Sequence, residues 1–230
     1  MFPVFSLVLG SFLVAAEPEK PPALRYLRLA DSKFVLESEV AQTRGREGTT
    51  YVSRTERPKE QMTLTLQFDA DGKLVSAEAV LEVQKNKRSA VLSFKGGRAQ
   101  LKRAGGVTDF IPKLSADAVV TTAPDWSDIF QLVRRYDRKK GGKQTFSGLW
   151  IHPVQPAKKL DFTIENEGKD TIEVKDKKVS LDRFKIRVRS GTYVAWADGN
   201  GRVYKLMAPR KQSTAVVLEG YEEETRGLKK

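Results

Sequence analysis

Along most of this chain hydrophobic and polar residues alternate one by one, the period expected of strands with one buried face. Phe34, Leu36 and Val40 alternate with Val35, Glu37 and Glu39, and Leu64, Leu66 and Phe68 alternate with Thr63, Thr65 and Gln67. Leu160, Phe162 and Ile164 repeat the pattern, and Val179 to Val188 reads as a further strand. Turn residues punctuate these runs. Asp71-Gly72 precedes Leu74–Val83, Gly96-Gly97 separates Ala90–Lys95 from Arg98–Arg103, and Asp198-Gly199-Asn200-Gly201 separates Thr192–Ala197 from Arg202–Met207. Each predicts a hairpin.

One segment has the other period. Trp126, Ile129, Phe130, Val133 and Tyr136 recur at helical spacing, so one apolar stripe runs along Asp125 to Arg138 and predicts a helix of about residues 125–139. Asp125 is the expected N-cap, with Asp128 three residues on, and Gly141-Gly142 is the expected stop. Arg134, Arg135, Arg138, Lys139 and Lys140 fall at the negative end of the helix dipole. A stripe bearing Trp, Phe and Tyr must be buried, and the concave face of the sheet is the surface available. The expected fold is mainly β: a curved antiparallel sheet or half-barrel packed around one amphipathic helix.

The first sixteen residues bear on the compartment. Val4 to Val14 is apolar apart from Ser6, Gly10 and Ser11, and Val14-Ala15-Ala16 supplies the small residue that signal peptidase requires. Residues 1–16 are therefore read as a signal peptide, too short to span a bilayer as a helix, and residues 17–23 as a Pro-rich mature start. A single mainly-β domain over 24–222 and a charged tail at 223–230 complete the expected layout, with a division near residue 116 as the alternative. The chain contains no Cys, so it has neither a lipid-attachment cysteine nor a disulfide, and its stability must come from burial. The expectation is a soluble exported protein, periplasmic or extracellular, with no membrane span after cleavage.

A formal net charge of +12 attracts anions in general, and export makes nucleic acid the least suitable of them. Four cations alternate with core residues on one predicted strand: Arg183, Lys185, Arg187 and Arg189 against Phe184, Ile186 and Val188. Side chains two apart on a strand share a face about 7 Å apart, so this row is either a solvated outer face or a contact for an anionic envelope component. Aromatic residues crowd the second half of the chain, either as plain core or as cavity lining. The candidate lining residues are Trp126, Phe130, Trp150, Phe162 and Trp196.

Catalytic patterns are sparse. The absence of Cys removes thiol nucleophiles and Cys-based metal sites, and the one histidine, His152, precedes Pro153. No serine sits in a G-x-S-x-G elbow. The Gly-rich turns lack the strand-to-helix setting and the Lys-Ser or Lys-Thr of a phosphate loop, so no nucleotide, metal or other cofactor is expected. Carboxylates such as Glu222-Glu223-Glu224 read as solvated charge.

Strands, then one amphipathic helix ending in a basic Gly-Gly turn, then strands closing on Trp196-Ala197-Asp198-Gly199-Asn200-Gly201-Arg202-Val203, with Trp196, Asp198 and Lys205 as the late-strand signature, form an order that resembles the exported half-barrel proteins. These include the Lol lipoprotein carriers and related periplasmic families of unknown function. The resemblance covers residues 34–222 loosely and transfers no functional residue. It implies an unclosed barrel whose apolar interior shelters an acyl chain or similar ligand. The leading expectation is thus a non-enzymatic binding module for a lipophilic or acyl-bearing ligand. The alternatives are a scaffold that sets its basic face against an anionic partner, and a carboxylate-dependent hydrolase.

Overall fold

The computed structural model describes residues 22–30, 33–95, 98–122, 126–188, 191–208 and 215–228. The expected signal peptide, 1–16, lies outside the described residues, as do Asp125, Gly96-Gly97 and Arg189. The first half of the chain is a meander of β1 (Leu24–Ala30), β2 (Lys33–Gly45), β3 (Gly48–Arg57), β4 (Glu60–Asp69), β5 (Leu74–Val83), β6 (Asn86–Lys95), β7 (Arg98–Arg103) and β8 (Thr108–Ile111). The short β9 (Val119–Thr121) and the helix α1 (Ser127–Arg135) follow. The second half is a meander of β10 (Lys143–Trp150), β11 (Lys158–Val174), β12 (Lys177–Val188), β13 (Gly191–Ala197), β14 (Val203–Met207) and β15 (Ala215–Leu218).

All three expected hairpins form, as β4–β5, β6–β7 and β13–β14. The two meanders join where β1 pairs with β15, giving one 15-stranded sheet among the described residues with β8 and β9 at its margins. Laid flat, strands about 4.8 Å apart would separate those margins by about 67 Å. Yet β8 and β9 are consecutive in the chain, and the segment from Ile111 to Val119 reaches at most about 28 Å. The sheet therefore curls into a half-barrel, and α1 lies within it. Strand alternation gathers the β1–β2, β3–β4, β5–β6, β7–β8, β10–β11, β12–β13 and β14–β15 turns at one end, here called the mouth. The helix runs from the mouth toward the opposite end.

Aromatic contacts dock the helix on the sheet. Phe130 packs on Tyr26 of β1 with ring centroids 4.7 Å apart, Tyr136 meets Phe184 of β12 edge-on at 5.1 Å, and Trp126 meets Tyr193 of β13 at 5.8 Å. The guanidinium of Arg134 lies 5.7 Å from the Tyr51 ring centroid and that of Arg135 5.7 Å from the Phe68 ring centroid. Gln131 binds the free margin of the sheet. Its amide donates to Val120 O at 2.7 Å and accepts from Val120 N at 3.2 Å, occupying the edge groups of β9 that another chain would otherwise pair with.

Two expectations are corrected. The helix is shorter at both ends: its N-cap is Trp126, without a side-chain cap bond, and it stops at Arg135, not at Gly141-Gly142. Gln144 sets that stop. Its amide accepts from Asp137 N at 3.0 Å and donates to Asp137 O at 2.7 Å, so the chain leaves helical geometry before the glycines, which serve the following turn. The second correction concerns β2. Leu36 opposes Leu27 whereas Ser38 opposes Tyr26, so a bulge at Glu37 puts Leu36 and Val40 on opposite faces. Glu37 is consequently buried, held by Arg28 Nε at 2.9 Å.

Burial ranks the helix side chains. Phe130 is 4% exposed whereas Trp126 is only partly buried. Phe130→Ala is expected to lower unfolding free energy by about 3 kcal/mol and Trp126→Ala by less than half of that. Urea denaturation of the two variants checks the order, and equal losses would contradict the docking described.

Candidate functional site

Directly opposed residues in an antiparallel sheet present their side chains on the same face. Following that register from β1 to β6 gives one continuous row: Tyr26, Ser38, Thr55, Met62, Leu81 and Arg88. Tyr26 carries the helix residue Phe130, so the whole row belongs to the inner face. It begins buried under the helix and ends exposed at the mouth. Ser38 Oγ and Thr55 Oγ1, between the two, are buried without a hydrogen-bond partner among the described residues.

At the mouth end of this row, the β5–β6 hairpin and the 151–157 loop enclose a cleft of about 260 Å³, lined by Leu81, Val83, Gln84, Asn86, Arg88 and Val154. Val83 and Val154 are 37% and 40% exposed, although both are large aliphatics. Arg88 is exposed on the rim, and among the described residues it has no carboxylate partner.

The 151–157 loop is built on an aromatic step. Trp150 ends β10, and His152 stacks on it with centroids 5.3 Å apart and planes 17° from parallel. Lys158 Nζ lies over the Trp150 ring at 5.0 Å. Ile151 N donates to Thr121 O at 2.9 Å, which ties the loop to β9, and Val154 N donates to His152 Nδ1 at 3.2 Å. Burial pushes the His152 imidazole below its ordinary range, partly opposed by the charge of Glu60 on β4. No hydroxyl nucleophile bonds to it in the structure described. Its one resolved bond closes a turn.

The five candidate lining residues do not surround one cavity. Trp126 and Phe130 lie on the helix against the inner face, and Trp150 forms the base of the mouth loop. Phe162 is fully buried and fills the place of the missing side chain of Gly148. Trp196 is on the opposite face. It opposes Arg183 and Lys205, one residue out of phase with the inner row of Phe184, Ala195 and Leu206. There the C-terminal segment seals it: Lys205 Nζ donates to Thr225 O at 2.7 Å and to Leu228 O at 2.9 Å, and Trp196 Nε1 donates to Asp170 at 2.7 Å. Thr225 and Leu228 are buried, so this part of the expected charged tail covers the sheet.

Arg183, Lys185 and Arg187 share the outer face as the alternation implies, but β11 supplies counter-charges. Arg183 lies 3.7 Å from Asp170, and Lys185 lies 3.2 Å from Glu167. The row is thereby partly neutralised. Among the described residues there is no cluster of His, Asp or Glu suited to a metal, and no helix is long and apolar enough to cross a membrane.

No protein-family model matches this chain, and no curated protein matches it. Two solved structures are similar. The crystal structure of a DUF1089 family protein from Pseudomonas aeruginosa aligns over 76% of this chain and 90% of its own, at 17% identity and a TM-score of 0.47. That of the hypothetical lipoprotein YmcC from Escherichia coli K12 aligns over 88% of each chain, at 12% identity and a TM-score of 0.34. Likenesses of this size bear on neither ligand nor role.

Proposed function

We propose that this protein is an exported, non-catalytic binding module that shelters the apolar part of an amphiphile in the cleft at the mouth of its half-barrel. The observation that carries the reading is the pair Val83 and Val154. Two half-exposed aliphatics face the same small cleft from opposite halves of the sheet, on the inner face, beside a cation with no carboxylate partner among the described residues. Apolar surface left open at a concave site marks a place where something binds. The cleft is slightly smaller than the roughly 300–1,000 Å³ usual for a drug-sized ligand, so it suits one segment of a chain. Arg88 on the rim favours an anionic head, and the signal-peptide pattern of residues 1–16 supports export.

Titration at pH 8 with a lysophospholipid, read by tryptophan fluorescence and native mass spectrometry, tests the reading. The wild type is expected to bind one molecule. Val154→Asp, which puts a charge against the chain, is expected to weaken binding at least tenfold, while Arg88→Gln weakens an anionic amphiphile several-fold and leaves a neutral one unaffected. If no amphiphile shifts either signal, the reading is wrong.

A further inference from the structure

The loop that carries Val154 over the cleft is closed by a bond that only a neutral imidazole accepts. His152, Pro153 and Val154 form a tight turn in which Val154 N donates to His152 Nδ1 at 3.2 Å. This contact from a side chain to the amide two residues on is the one an Asx turn makes with a carboxamide or carboxylate oxygen. Pro153 between them holds its φ near −65° and presents no N–H of its own. In neutral imidazole one ring nitrogen donates and the other accepts, so acceptance at Nδ1 places the proton on Nε2. Protonation makes both nitrogens donors. Nδ1–H then confronts Val154 N–H, and the turn loses its closing bond.

We propose that His152 makes residues 151–157 a pH-sensitive lid: neutral, it holds Val154 across the cleft, and protonated, it lets the loop lift and the bound amphiphile leave. The inference rests on the binding role proposed above. It specifies how that site is regulated.

Burial, against the neighbouring charge, sets the direction. Glu60, from β4, favours the imidazolium, and Lys158, from β11, lies over Trp150, the ring on which His152 stacks. Burial is the larger influence, and it favours the neutral form. The closed lid therefore holds the proton more weakly than the open one, whose imidazole titrates near about 6.5. Closure is fully present above about pH 6.5 and is lost as the pH falls through the lower value of the closed state. His152 is 9% exposed, so an imidazolium formed in place would be poorly hydrated, which adds to the drive for opening.

The experiment has two arms. Without ligand, amide exchange of Val154 is followed by NMR between pH 5 and 8 and expressed as a protection factor. The wild type is expected to lose at least tenfold in protection at pH 5. His152→Asn, whose Oδ1 accepts from the amide two residues on and does not titrate, is expected to stay protected throughout. His152→Ala is expected to be unprotected at both pH values while amides of β11 and β12 keep theirs. Lysophosphatidylcholine, whose head group does not titrate in this range, serves as the ligand in the second arm. Wild-type affinity is expected to fall at least fivefold from pH 8 to pH 5, and that of His152→Asn to stay constant. Equal Val154 protection at both pH values in the wild type, or an unchanged pH dependence in His152→Asn, overturns the lid. Equal affinity at both pH values overturns its control of the site. A pH-dependent Val154 amide with no binding at pH 8 upholds the lid and overturns the binding role instead.

Discussion

Trp196→Ala is expected to lower the unfolding free energy by about 5 kcal/mol, the upper part of the range for truncating a buried large aromatic. Its side chain is fully buried, its indole N–H is bonded to Asp170, and Lys205 Nζ lies 5.9 Å from the ring centroid. Truncation opens a void and removes the 2.7 Å hydrogen bond to Asp170. It also strips one wall from the buried Lys205, an ammonium whose burial is tolerable only while it is fully bonded. For a protein of this size the loss corresponds to a fall in Tm of roughly 10–20 °C. Trp196→Phe keeps most of the ring and loses the indole donor, so it should cost about 1–2 kcal/mol. Amphiphile binding at the mouth should be unaffected, because Trp196 lies on the other face of the sheet. Weaker binding with an unchanged Tm would return Trp196 to the cavity.

The second large effect comes from adding an atom. A Cβ on Gly148 would lie 2.1 Å from Phe162 Cε2 and 2.7 Å from the backbone oxygen of Val119. Neither neighbour gives way readily, since Phe162 is fully buried and Val119 belongs to β9, the parallel partner of β10. Gly148→Ala is expected to cost more than about 3 kcal/mol, beyond the usual overpacking range. Phe162→Leu in the same chain should recover part of that loss by removing the clashing ring edge, although alone it is destabilising. Four-way denaturation of wild type, both single variants and the double variant reads the coupling. Additive losses would mean that the ring does not occupy the glycine's space.

How far the fold was legible depended on turn chemistry. Asp71-Gly72 and Asp198-Gly199-Asn200-Gly201 announce their hairpins because glycine, aspartate and asparagine tolerate the backbone that tight turns need. The hairpin at Gln84-Lys85 carries no such signal, and the one at Lys175-Asp176 carries a single aspartate without a glycine. All four residues have φ between +47° and +71°, a conformation imposed by the register of the long strands on either side. The cleft was hidden for the same reason, since Gln84 belongs to the first of these turns. Its other wall comes from Val154, some seventy residues away, and no periodicity links the two.

Local pattern carries the alternation that makes strands, the amphipathic helix, the need to bury its aromatic stripe, and the common face of Arg183, Lys185 and Arg187. These are local matters, settled by side-chain period and backbone preference within a dozen residues. Contacts between distant segments set the pairing of β1 with β15, the binding of Gln131 to the edge of β9, and the cover of the C-terminal segment over Lys205. They also set the face of Trp196. Alternation tells which residues share a side, but not which side is inside once both are covered. At β13 the helix covers one face and the C-terminal segment the other, so Ala195 and Trp196 are both fully buried although they point in opposite directions. The choice between cavity lining and outer core rests on contacts between segments far apart in the chain, where local pattern carries no information.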